Sequence, residues 1–243
     1  MTLFITLEGN IGSGKSTIFK SLKEKFKNDK TILFLDEPVD NWELFADSEG
    51  KTILEHYYSD QSKYSFTFQM LAYISRLSPL RKALKQNYDL IISERSIYTD
   101  CMIFTKMLFE SYKIGEIEYK VYNKWFEEFL KEIPNPSVIY VKTNPRIAKE
   151  RVNKRNRLGE NISLDYLENC HRYHEEWIKS ILQVNKLELN GNIDLKQTEN
   201  QMNKWIEDID NFIKLQYILK RKSKIKKYKK RTGPWSWRWD KHF

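Results

Sequence analysis

Cysteine, glycine and proline are all scarce in this 243-residue chain, at two, eight and six residues. Cys101 and Cys170 form neither a disulfide framework nor a metal-spaced cluster, which fits a reducing setting. No apolar run approaches the length of a membrane span. A strand-like run already begins at Leu3, so no signal peptide is expected ahead of it, and a cytoplasmic protein is expected. Internal repeats are lacking too, and low complexity is confined to the C-terminal tail. What is there, 40% hydrophobic and 31% charged residues, is the composition of a globular domain long enough to bury one sizeable core.

The formal net charge of +9 belongs to one end of the chain. Lys214–Phe243 holds twelve Lys or Arg against one acid, Asp240, so the remaining residues are close to neutral. Residues 1–213 therefore read as the functional domain and 214–243 as a basic, flexible extension. Within it, nine basic residues between Lys220 and Arg231 precede Trp235, Trp237 and Trp239. Such a segment suits nucleic acid, an anionic membrane surface or a nuclear address; the plain alternative is a solvated extension.

Strand-like runs at Leu3–Glu8, Thr31–Leu35, Asp89–Ser93, Ser137–Lys142 and Lys186–Asn190 alternate with helical patterns. The clearest helices are Ser16–Phe26, Gln61–Gln86, Tyr98–Tyr112, Ile117–Ile133, Arg146–Arg155, Ser163–Leu182 and Thr198–Leu219. This alternation predicts an α/β fold with a five-stranded parallel sheet covered by helices on both faces. Ligands of such sheets sit beyond the carboxyl ends of the strands, so the residues following each strand carry the chemistry.

Three of the eight glycines fall in the turn after the first strand, Gly9-Asn10-Ile11-Gly12-Ser13-Gly14-Lys15-Ser16, followed by Thr17. Strand, glycine-rich loop and helix together match a phosphate-binding P-loop. The glycines let backbone N–H groups turn toward phosphate oxygens, Lys15 places a positive charge on the outer phosphates, and the Ser16 hydroxyl suits a magnesium shell. A nucleoside triphosphate site is expected. After the second strand comes Glu37-Pro38-Val39 with Trp42, and after the third comes Glu94-Arg95-Ser96. A carboxylate, an acid–arginine pair and a phosphate loop at one sheet edge form a set suited to phosphoryl transfer. Taken singly, Glu37 is equally a solvated carboxylate, and Glu94–Arg95 equally a structural ion pair.

Together with Ser65-Phe66-Thr67-Phe68-Gln69 and an arginine-rich stretch, Arg151-Val152-Asn153-Lys154-Arg155-Asn156-Arg157, these elements resemble the deoxyribonucleoside kinases over about Met1–Phe212. The resemblance implies a P-loop kinase with an arginine-rich lid at about 151–161, acting with ATP and Mg2+. It implies that Glu37 is the general base for the nucleoside 5′-hydroxyl and that Arg95 stabilises the transferring group. Ser16 and Glu94 would hold the metal, and Arg155 and Arg157 would close on the phosphates. Tyr58 and Glu160 would hold the sugar 3′-hydroxyl, Gln69 would pair with the base edge, and Trp42 and Phe68 would sandwich or wall the base. Arg76 and Asp100 resemble the pattern of deoxycytidine and deoxyguanosine kinases, with an ion pair between neighbouring helices as the alternative. Deoxycytidine and purine deoxynucleosides are accordingly expected over thymidine, and a homodimer by resemblance. The rival readings are a nucleoside monophosphate kinase of the thymidylate type and a P-loop protein that binds nucleic acid or membrane through its tail.

Overall fold

The computed structural model describes residues 2–157, 160–195, 198 and 200–227. Five strands, β1 (Leu3–Gly9), β2 (Ile32–Leu35), β3 (Leu90–Glu94), β4 (Ser137–Lys142) and β5 (Lys186–Asn190), form one sheet in the order β2-β3-β1-β4-β5. All four pairings are parallel; Ile5 lies beside Ile92 on one side and Ser137 on the other. β1, in the centre, is buried along its whole length.

Side chains alternate across the pleat, and both faces are covered. Leu3, Ile5 and Leu7 pack with Leu90, Ile92, Ile139 and Val141 against α1 (Lys15–Lys25) and α10 (Gln201–Lys227). Phe4, Ile91, Val138 and Tyr140 point the other way, toward α4 (Gln61–Leu84), α7 (Glu116–Leu130) and α9 (Leu164–Ser180). Local signals set the helix starts: Asp60 accepts from Lys63 N, Ser163 from Tyr166 N, and Asn144 from Arg146 N ahead of α8 (Pro145–Arg155).

Three features depart from the sequence reading. Two short helices, α2 (Val39–Glu43) and α3 (Ile53–Ser59), stand where no element was expected, and α3 carries a reciprocal Thr52–Glu55 cap. The expected Tyr98–Tyr112 helix is α5 (Ile97–Thr99), a π-helical segment (Asp100–Thr105) and α6 (Lys106–Glu110). α10 continues past Leu219 to Lys227, so the basic run begins on helix; the tryptophan-rich remainder of the tail lies outside the described residues.

Candidate active site

The carboxyl ends of β1, β2 and β3 deliver the phosphate loop, Glu37 and Glu94–Arg95 to one side of the sheet, where a cleft of about 420 Å³ opens. Every residue given a site role from the sequence lines this cleft except Gly9, Asn10 and Glu94. Gly12 (φ +76°) has no room for a side chain: a Cβ there would come within 2.4 Å of the Ala148 carbonyl on α8. Ser16 Oγ donates to Glu94 Oε1 at 2.6 Å, so Glu94 joins the site through Ser16. A hydroxyl beside a carboxylate is a hard oxygen pair of the kind Mg2+ takes, with phosphate and water oxygens completing its shell. Among the described residues no cluster of three or more His, Cys, Asp or Glu is built to hold a metal by itself.

Glu37 is the electrostatic hub. Its Oε1 accepts from Arg76 Nη2 at 2.6 Å and lies 3.0 Å from Arg95 Nε. Burial pushes the carboxyl up, but Arg95, Arg76, Lys15 and Arg157 outweigh it and hold the group at about 2. Arg95 sits in left-handed backbone (φ 62°), held by its N–H to Leu7 O and by Ser93 Oγ on its own carbonyl. From there Nη1 donates to Gly9 O at 2.9 Å, tying the arginine to the phosphate loop. Lys15 is buried against Asn10 O at 2.9 Å; burial and Arg95 lower its ammonium to about 7, against the pull of Glu37, Glu94 and Glu8.

Deeper in the cleft Arg76 Nη1 donates to Asp100 Oδ1 at 2.9 Å, so one guanidinium spans Glu37 and Asp100. Burial nevertheless pushes Asp100 up to about 6, the attraction of Arg76 and Arg95 offsetting only part of it. Gln69 Oε1, Arg76 Nε and Asp100 Oδ2 are buried without a hydrogen-bond partner. Such groups are costly unless something pairs with them. The Trp42 and Phe68 rings meet at 85° with centroids 5.2 Å apart, so they form a corner and wall the pocket, and do not sandwich a base between them. Trp42 Nε1 donates to Ser75 Oγ, which fixes that wall to α4.

At the other end, Arg155 closes α8, Arg157 and Glu160 follow, and Arg155 Nη2 meets Glu160 Oε2 at 2.5 Å. Tyr58 lies close enough to Glu160 for the carboxylate, after burial and Tyr57, to push its phenol well up.

Several contributors carry no individual role in the sequence reading. Arg151, one helical turn before Arg155, donates to the carbonyls of Gly191 (2.8 Å), Ile193 (3.2 Å) and Ser13 (3.3 Å), joining the phosphate loop to the turn after β5. Its spacing of four from Arg155 was the available signal. Glu8 is fully buried and accepts from Ser96 and Thr99, pinning the turn after β3 to β1; an acid inside an apolar strand was its signal. Tyr57, which its bulk beside Tyr58 marks in the sequence as a residue that tightens the pocket, joins hydroxyls with Tyr166 at 2.8 Å in the cleft wall, and only that pairing goes unannounced.

A family model described as deoxynucleoside kinase matches residues 5–214. A probable deoxycytidine kinase of fowlpox virus (strain NVSL) is 34% identical over 222 residues, covering 88% of this chain and 89% of that protein. Deoxycytidine kinase 2 of Gallus gallus is 31% identical over 240 residues, covering 86% and 89%. The mitochondrial thymidine kinase 2 of Homo sapiens is 34% identical over 177 residues, covering 72% and 63%. Relatives named for different bases thus match at similar identity.

Proposed function

The chain belongs to the deoxynucleoside kinase family, and from that premise we propose which substrates it takes and which residues act on them. Family membership favours the nucleoside kinase reading over the monophosphate kinase and tail-driven alternatives. The donor is ATP with Mg2+, and the acceptor is the 5′-hydroxyl of a deoxynucleoside carrying an amino-substituted base: deoxycytidine, deoxyadenosine or deoxyguanosine, ahead of thymidine.

One observation carries the base choice. Asp100 Oδ2 is a buried acceptor without a donor on a residue that lines the cleft, and Gln69 lines it too with an amide that can turn either its oxygen or its nitrogen to a base. An exocyclic amine supplies N–H donors to such an acceptor, whereas the thymine carbonyl at the corresponding edge would set oxygen against oxygen. Arg76 holds Asp100 as the acceptor.

In this reading the hydroxyl proton passes to Glu37, which its arginines keep ionised at any physiological pH. Lys15, Arg95, Arg155 and Arg157 offset the charge that develops on the phosphoryl oxygens. Ser16 and Glu94 would hold Mg2+ from the protein side, and the ion would supply neutralisation of the phosphate charge. Tyr58 and Glu160 hold the sugar, and the stretch at 151–161 acts as a lid. The test is turnover of deoxycytidine, deoxyguanosine, deoxyadenosine and thymidine with ATP and Mg2+. The first three ahead of thymidine is the expected order; thymidine first would discard the base reading and keep the enzyme class.

Two assembly features complete the proposal. Ile117, Val121 and Trp125 recur every four residues on α7 and are exposed, with Ile74 of α4 also half exposed, an apolar stripe suited to a homodimer. The basic extension at 214–243 is an accessory that binds an anionic surface or nucleic acid. Salt-sensitive binding that deletion of 220–243 abolishes, with turnover retained, would support it. No helix among the described residues is long and apolar enough to cross a membrane.

A further inference from the structure

Asn10 occupies a phosphate-loop position, yet its side chain does not reach the cleft and is 1% exposed. Four hydrogen bonds converge on it, one of them from Ser13 N to its carbonyl at 3.2 Å. Its Nδ2 donates to Leu167 O at 2.8 Å, its Oδ1 accepts from Ile11 N at 2.8 Å, and its carbonyl accepts from Lys15 Nζ at 2.9 Å. The orientation of the Asn10–Ile11 peptide is therefore set by the side-chain amide together with the Ser13 N–H, and that peptide carries the oxygen on which the Lys15 ammonium rests.

The far end of the brace matters equally. Leu167, in the first turn of α9, is buried with Ala148, Val152 and Ile162 in a small cluster. Ala148 and Val152 belong to α8, the helix of Arg151 and Arg155, and Lys149 of the same helix donates to Ile162 O at 2.5 Å. The Asn10 amide thus links the phosphate loop to the unit that brings the arginines.

We propose that Asn10 is a positioning residue for phosphoryl transfer, one that fixes Lys15 within the loop and registers the loop against the α8–α9 unit. This rests on the kinase reading above. Its side chain touches neither substrate; it acts through Lys15 and the arginines. An aspartate there keeps an oxygen for Ile11 N–H but sets a carboxylate against the Leu167 carbonyl. A serine keeps the local acceptor and is too short to reach Leu167.

The test is steady-state kinetics of wild type, Asn10→Asp and Asn10→Ser with ATP and the preferred deoxynucleoside, beside each variant's melting temperature and its affinity for ATP alone. The expected result is a fall in kcat and a rise in KM for ATP, on the order of ten- to hundredfold combined, with the nucleoside KM near that of wild type. Wild-type values for both ATP parameters in either folded variant would overturn the proposal. So would losses shared equally by both substrates, or a lower melting temperature with unchanged kinetics. Failure of the wild type to phosphorylate any deoxynucleoside would instead strike the kinase reading, and the two failures are distinct.

Discussion

Arg76 reaches Glu37 with one terminal nitrogen, at 2.6 Å, and Asp100 with the other, at 2.9 Å. The proposed base contact and the candidate proton acceptor therefore share one buried guanidinium, and the pair cannot be dismantled one side at a time without consequence. Arg76→Met alone leaves Asp100 buried without its cation, a change worth about 3–5 kcal/mol where the charge persists. Because Asp100 is already raised to about 6, protonation relieves part of that cost, more fully at pH 5 than at pH 8. Arg76→Met with Asp100→Ala removes both charges and both hydrogen-bonding groups. That double variant should move the ratio of kcat/KM toward thymidine by about 10- to 100-fold, measured as thymidine against deoxycytidine. An unchanged ratio would assign the pair to holding α4 against the π segment only.

Glu37→Gln should cut kcat by about 10²–10⁴ while ATP affinity, measured without nucleoside, stays near wild type. The group is held at about 2 against an ordinary 4.5, so it gives the wild type no acid limb in the pH–rate profile between pH 5 and 7. The sign for stability follows from the same displacement. The wild-type advantage over Glu37→Gln is fully present above about pH 5 and shrinks as pH falls toward 2. Urea denaturation across that range checks it.

Lys15 runs the opposite way, its ammonium lowered by burial and by Arg95 from 10.5 to about 7. Between those values the unfolded chain binds a proton that the folded chain does not, so this group makes stability rise with pH across that window. Lys15→Met should therefore abolish turnover and yet raise the melting temperature at pH 7, by about 2–4 °C for each kcal/mol recovered. A phosphate donor restores the charge, so ATP binding above pH 7 should take up a proton. Calorimetry in buffers of different ionisation enthalpy measures that uptake, and its absence at pH 8 would show Lys15 already charged.

How far the sequence could be read depends on where each signal lives. The five strands were legible because each is a short apolar run bounded by polar turns, and the phosphate loop because its chemistry is contiguous. α2 and α3 were not, since five and seven residues are too few for a helical period to declare itself. What fixes them is tertiary: Trp42 and Tyr57 are each buried beside Phe68 of α4. The π-helical segment carrying Asp100 and Phe104 into the cleft left no mark either; it packs against α4 and α9, contacts that no local sequence pattern records. Arg76, Glu37 and Asp100 could each be nominated, but not their union through one guanidinium. Asn10 is the sharpest instance: a loop residue nominated for the nucleotide whose amide is spent on a carbonyl 157 residues away.

The apolar stripe on α7 gives the last prediction. Trp125 is 49% exposed and stacks on Phe129 at 5.7 Å, with Val121 one turn earlier at 42% exposure. Leaving such a row in water is unfavourable, and a second copy can cover it; a stable dimer needs roughly 800 Å² from each partner. Tyr73 anchors this part of α7 through the Trp125 backbone carbonyl, a contact that survives any side chain at 125. Trp125→Glu should therefore spare the fold while placing two like charges near the axis of a symmetric interface. Sedimentation at micromolar concentration should find a wild-type dimer and a monomeric variant with the same circular dichroism. A monomeric wild type would remove the homodimer from the proposal, and a dimeric variant would move the interface to another face. Nucleoside turnover by the monomer would then show that each cleft works alone.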